Sequence, residues 1–152
     1  MKSKKTGSII TLNTQYIKDL SFENPKAPEV YTYKDTKPKI DIAIDLNATR
    51  LQKEVFESEM VIHIEAKADN DNKTFFILEL VYAGIFTIEN INENLIQENL
   101  FIDCPTMIYP FARAIISNTI IGANFPPVMM DIIDFEELYN SKKDTIQKDN
   151  DK

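Results

Sequence analysis

The amino-acid sequence predicts an α+β fold, a four-stranded antiparallel sheet followed by helices packed on one face. Three observations predict it. Apolar residues recur with a period of two over the first part of the chain and with a helical period over the last, changing once. "DNDN" at Asp69–Asn72 separates two alternating runs with residues that tolerate turn geometry. "PTMIYPFARAIISNTIIG" opens on Pro105, suited to a first helical turn, and closes on Gly122, suited to a helix C-terminal end.

Residues 9–20 form the first strand, with Ile9 and Ile10 followed by Leu12, Tyr16 and Leu20 on even positions. "FENPKAPEVYTYKDTKP" comes next; Pro25, Pro28 and Pro38 each remove an amide donor, which makes it an ordered but irregular crossover. The second strand, 39–47, alternates Ile40, Ile42, Ile44 and Leu46 with Asp41, Ala43, Asp45 and Asn47. In the third, 54–68, Phe56, Met60, Ile62, Ile64, Ala66 and Ala68 oppose Glu57, Glu59, His63, Glu65 and Lys67. The fourth, 73–82, "KTFFILELVY", is apolar on nearly both faces and makes a hairpin with the third. Met107, Phe111, Ala114, Ile115 and Ile121 give the first helix its stripe, while Pro110 kinks it or delays its start. Asp134 and Glu137 form a capping box for a second helix, and Lys142 and Lys143 suit its C-terminal end. Short polar ends at 1–8 and 144–152 are expected to be mobile, leaving a single domain at 9–143.

The totals fit one globular domain: 152 residues, 43% hydrophobic and 27% charged. No apolar run approaches the roughly 20 residues that span a bilayer, and the basic front has no apolar segment behind it to make a secretory signal. The single cysteine, Cys104, forms no internal disulfide, which fits a reducing cytoplasm. With 24 acidic against 17 basic residues, the net charge of -7 repels phosphate backbones and favours a basic partner over nucleic acid.

Catalytic reagents are scarce. Gly7, Gly84 and Gly122 are too far apart for a phosphate loop, and His63, on a strand face beside Glu65, is either a base or a structural or exposed residue. Cys104, before Pro105 at a helix start, is either a packed residue or a thiol of lowered pKa. "DNDN" resembles the start of a calcium loop, but the sixth position is Thr74 and the twelfth is Leu80. One His and one Cys build no metal cage. The sequence therefore predicts no enzyme, no metal and no cofactor.

What remains is surface. Either Phe76, Leu78, Leu80 and Tyr82 or else Phe75, Ile77 and Val81 would face water in a monomer. Each large side chain left wet forgoes about 1.5–3 kcal/mol, so the chain is expected to oligomerise. Asp19, Glu23 and Glu79 are either solubilising or a docking set. "NFPPVMMDIIDFEELY" places two prolines and a run of apolar residues between helices, either as a buried connector or as a sticky surface.

Four segments in register, "QYIKDLSFENPKAP" (Gln15–Pro28), "YAGIFTI" (Tyr82–Ile88), "CPTMIYPFARAII" (Cys104–Ile116) and "NFPPVMMDIIDFEELY" (Asn124–Tyr139), resemble the signature segments of the SecB family. The resemblance implies a cytosolic export chaperone, a homotetramer built as a dimer of dimers. It implies holding of unfolded precursor proteins without ATP and delivery to the motor ATPase SecA, whose contact region is basic and zinc-bearing. Matched to the family's positions, Asp19, Glu23, Ile77 and Glu79 are the SecA-binding residues. Ile42 and Ile44 match the client groove, with Tyr31, Tyr33, Phe125, Val128, Met129 and Met130 as the rest of its lining. Phe76, Leu78, Leu80 and Tyr82 match the face that supports assembly. The implied partners are unfolded precursors, SecA and the chain itself, with no nucleic acid and no direct membrane insertion. A SecB-like holdase or adaptor serving a toxin–antitoxin system is the alternative. The chain departs from many relatives in having no tryptophan in the crossover, which reads "KDTKP" at Lys34–Pro38.

Overall fold

The computed structural model describes residues 2–3, 7–33, 37–69 and 73–150, with side chains described over 7–33, 37–69 and 73–143. Four long strands, β2 (Ile9–Glu23), β3 (Pro38–Arg50), β4 (Val55–Ala68) and β5 (Thr74–Glu89), follow a two-residue β1 (Lys2–Ser3). They pair antiparallel in the order β1-β2-β5-β4-β3. α1 (Ile96–Glu98) runs through a π-helical turn at Asn99–Asp103 into α2 (Cys104–Gly122), and α3 (Phe135–Asn150) follows an extended connector.

The expected hairpin is present: Ala66 pairs with Phe76, and the Ala68 amide donates to the Lys73 carbonyl at 2.8 Å. Its turn residues 70–72, like residues 34–36 of the crossover, lie outside the described residues. β5 runs seven residues past its expected end at Tyr82 because Gly84 belongs to the strand. A Cβ there would lie 2.8 Å from Phe86 Cε2 and 3.1 Å from Ile108 Cγ2, so the missing side chain lets α2 close on the sheet.

The core lies between the sheet and α2. Even positions of β4 (Phe56, Met60, Ile62, Ile64, Ala66) and of β5 (Phe76, Leu78, Leu80, Tyr82, Phe86) pair across the strands and meet Ile108, Ala112, Ile116 and Ile120 of α2. This corrects the expectation that Phe76, Leu78, Leu80 and Tyr82 are an assembly face. They are 1%, 0%, 0% and 5% exposed and fill the core of the single chain. Both parities of β5 are apolar, and the one in phase with β4's apolar residues forms the core, with Phe75, at the register shift beside Phe76, and Ala83 also buried. Ile77 and Val81 are left on the other face, half-buried.

The phase of α2 also differs from the expected stripe. Met107, Ile108, Ala112, Ile116 and Ile120 are buried, while Phe111, Ala114 and Ile121 point outward. Apolar residues occupy both candidate stripes, and the close approach at Gly84 selects the one containing Ile108. The α3 start matches its capping signal, with Asp134 Oδ1 accepting from the Glu136 and Glu137 amides at 3.0 and 3.2 Å. Helical backbone continues through Asn150, into the segment expected as a tail, since no Gly or Pro follows Pro127 to stop it.

Candidate functional site

β2 carries two bulges, between Leu12 and Thr14 and between Ile17 and Asp19. The second inserts Lys18, after which Asp19, Ser21 and Glu23 stand opposite Val81, Glu79 and Ile77. From the other side β4 sets Val61, His63 and Glu65 against the same three β5 residues. Asp19, Glu23, Ile77 and Glu79 are thereby gathered on the sheet face turned away from α2. His63 Nδ1 lies 3.4 Å from Glu79 Oε2.

Lys18 does not neutralise this cluster. Its Nζ reaches Glu57 Oε1 at 3.1 Å and Glu59 Oε2 at 2.6 Å, and these hydrogen bonds push its pKa up. The Tyr16 hydroxyl donates to the same Glu57, and that bond holds the Glu57 carboxyl below the usual carboxylate range. Burial, then the hydrogen bond and the charge of Glu57, push Tyr16 up to about 12. Among the described residues, Asp19 and Glu23 are left with no ion-pair partner.

A second surface lies on the helix side. The Tyr31 hydroxyl donates to the Ala123 carbonyl at 2.6 Å and accepts from Asn24 Nδ2 at 2.7 Å. Its ring stands 5.7 Å from that of Phe125, which is 4.9 Å from Phe76. Tyr33 packs at 6.3 Å from Phe75. Crossover and connector therefore meet over one end of the sheet. The Tyr109 hydroxyl pins the connector again by donating to the Asp131 carbonyl at 2.6 Å. Ile42 and Ile44 lie on β3 at the sheet edge, Ile42 44% exposed and Ile44 partly covered by the core.

The family model for "Preprotein translocase subunit SecB" matches residues 3–146. This chain belongs to the SecB family. It is 47% identical over 133 residues to protein-export protein SecB of Rickettsia akari, covering 88% of this chain and 87% of that protein. With SecB of Bartonella bacilliformis it shares 42% identity over 141 residues, covering 93% and 87%. Its fold is similar to that of a solved SecB-like chaperone of Mycobacterium tuberculosis in complex with a peptide from an antitoxin. The TM-score is 0.68 at 11% identity, covering 82% of this chain and 90% of that one. As a SecB protein it is a protein-export chaperone. Among the described residues no helix is long and apolar enough to cross a membrane.

Within this SecB chain the residues matched to SecA binding fall on one face, whereas those matched to the groove divide. Tyr31 and Phe125 meet, Tyr33 covers Phe75, and Met129 stands 74% exposed. Val128 is partly buried, and Met130, at 5% exposure, belongs to the core and lines no open groove. Ile132 in the connector, Ile17 and Leu20 on β2, and Phe111 and Ile121 on α2 are exposed apolar residues not singled out as surface from the sequence. They differ from buried neighbours only in phase, which one sequence does not reveal. Cys104 is fully buried, and burial, with the nearby Asp103 charge adding to it, pushes its thiol pKa up. The alternative of an activated thiol is thereby overturned.

Proposed function

We propose that this SecB protein holds newly made precursor proteins unfolded, without ATP, in the cytoplasm and passes them to SecA for export. The observation that carries this is the separation of two surfaces by the sheet. Asp19, Glu23, Ile77 and Glu79 occupy one face, suited to a basic partner. Exposed apolar residues of β3, the crossover and the connector occupy the helix side, suited to unfolded chain. Both partners can be engaged at once because the core lies between their surfaces.

Holding follows from many weak contacts. Each exposed apolar side chain adds little, but an extended client reaches several together, and a folded protein has buried its own. Met129, unbranched and exposed, adapts to varied side chains. The working form in this proposal is a homotetramer, a dimer of dimers. Ile17, Leu20, Phe111 and Ile121, apolar and exposed in the protomer, support assembly through the β2 edge and the outer stripe of α2. Identities of 42–47% to export proteins favour SecA over a toxin–antitoxin role.

Light scattering with and without a slowly folding precursor tests the reading. A tetramer that gains the mass of the denatured precursor and ignores the native one is expected. A monomer indifferent to denatured chains would overturn it.

A further inference from the structure

Lys18 is the residue inserted by the second bulge of β2, and Asp19 of the docking set follows it directly. Successive strand residues ordinarily point to opposite faces. Here Asp19 stands opposite Val81 while Lys18 reaches carboxylates of β4, so the bulge sets both on the outer face. An ammonium placed beside an unpaired carboxylate is a ready partner for it. Lys18 instead crosses β5, donating to Glu57 Oε1 at 3.1 Å and to Glu59 Oε2 at 2.6 Å.

Those two acceptors are oriented from either side. The Tyr16 hydroxyl, from β2, donates to Glu57 Oε2, and Asn47 Nδ2, from β3, donates to Glu59 Oε1 at 3.2 Å. With one oxygen of each carboxylate already held, the other two converge on Lys18. Ala83 stands in register with Tyr16 and Glu59 and is fully buried, although it belongs to the outward parity of β5. That burial fits a closed layer of these side chains over the strand. Among the described strand residues of this face the other bases are engaged or distant. Lys67 is 3.7 Å from Glu65, His63 is 3.4 Å from Glu79, and Lys39 lies on the far edge strand.

We propose that Glu57 and Glu59 clamp Lys18 away from Asp19 and Glu79, so that a basic partner finds the docking carboxylates unpaired. The inference rests on the SecA-docking reading and adds to it positioning residues that touch no partner themselves. Surface ion pairs are individually weak, so a lysine with a choice of partners goes where the acceptors are already oriented. On β4 two carboxylates are held ready by Tyr16 and Asn47. Without them the carboxylates left on this face are those of the docking set, with Asp19 next in sequence. A basic partner would then have to displace Lys18 and approach against its charge, which costs affinity and slows encounter.

The test is a cycle of SecA affinities, read by calorimetry, for the unmodified protein, K18M, E57Q/E59Q and K18M/E57Q/E59Q. E57Q/E59Q is expected to bind SecA at least fivefold more weakly, because the released Lys18 turns to Asp19 and Glu79. Removing Lys18 from that variant should recover at least fivefold, whereas K18M alone should change affinity less than twofold. Net charge by itself would make K18M act by the same factor in both backgrounds, and equal factors would overturn the proposal. Weaker binding by K18M alone, more than twofold, would overturn it as well, since the bulge would then need the lysine for its own shape. Capture of a denatured precursor, expected unchanged throughout, checks that each variant is folded. Should E57Q/E59Q fail that check, the same cycle is run with E59Q, which keeps the Tyr16 bond and is expected to weaken SecA binding at least twofold. D19N/E23Q is measured alongside. If it leaves SecA affinity unaltered the docking reading itself fails, whereas a loss there with equal Lys18 factors fails only the clamp.

Discussion

His63 and Glu79 face each other across β4 and β5, imidazole Nδ1 3.4 Å from carboxylate Oε2, at the centre of the face that carries Asp19 and Glu23. Both side chains are partly exposed, so the contact itself contributes little to stability. Its importance lies in position: a partner docking on this face covers Glu79 and desolvates it.

Glu79→Lys therefore tests docking without touching the core. SecA affinity is expected to fall about tenfold or more, on the order of 1.4 kcal/mol. The loss should shrink at high salt, and capture of a denatured precursor should be unchanged. Titration calorimetry with each partner checks this, and an unaltered SecA affinity would contradict the docking assignment.

Met129 and Met130 are neighbours with opposite surroundings, one 74% and the other 5% exposed. Met129→Ser should slow capture of a denatured precursor and leave the unfolding midpoint in place. Met130→Ser empties part of the core and should cost about 2–5 kcal/mol in stability. Denaturant unfolding of each variant, read beside a capture assay, distinguishes the two roles; equal loss of stability would return Met129 to packing.

The strands were legible because a period of two is a strong signal, clean in β3 and β4, where one residue type alternates with another. β5 was legible as a strand but not in orientation, since Phe76, Leu78 and Leu80 and the intervening Ile77 and Val81 are all apolar. Only pairing with Ala66, Ile64 and Ile62 decides which set is inside. α2 shows the same ambiguity in helical form, with Ile115, Ile116, Ile120 and Ile121 consecutive in pairs. The grouping of Asp19 and Glu23 with Glu79 depends on a bulge and a register, neither written in local composition. The acidic types were visible and the family resemblance grouped them; the bulge and register that bring them onto one face were not.

The Tyr16–Glu57 hydrogen bond ties β2 to β4 across β5 and gives stability a pH dependence of known sign. Glu57 is held below the usual carboxylate range, chiefly by that bond. Its contribution is thus complete above the unfolded value, about 4.3, and is lost as pH falls through the lower folded value. Tyr16 is raised to about 12, so its contribution is complete below the unfolded value, about 10, and is lost as pH rises through the folded one. Tyr16→Phe should cost roughly 1 kcal/mol at pH 7. The difference from the unmodified protein should narrow at both extremes. Urea unfolding at pH 3.5, 7 and 10.5 checks this, and a difference independent of pH would contradict it.

Cys104 offers a probe of opening that needs no substitution. It is the only cysteine, fully buried at the start of α2, and burial together with the Asp103 charge keeps its thiol protonated. A thiol reagent reacts with thiolate, so native protein at pH 8 should be labelled at least about a thousandfold more slowly than denatured protein, corresponding to an opening cost of about 4 kcal/mol or more. Because the folded pKa is raised, the thiol's contribution to stability is complete below the unfolded value, about 8.5, and declines as pH rises toward the folded one. Labelling should therefore accelerate above pH 8.5 more steeply than thiolate formation in a free thiol explains, and Cys104→Ala should lose that part of the alkaline dependence in unfolding experiments. Rapid labelling of the native protein would show that α2 lifts from the sheet far more readily than its packing on Gly84 allows.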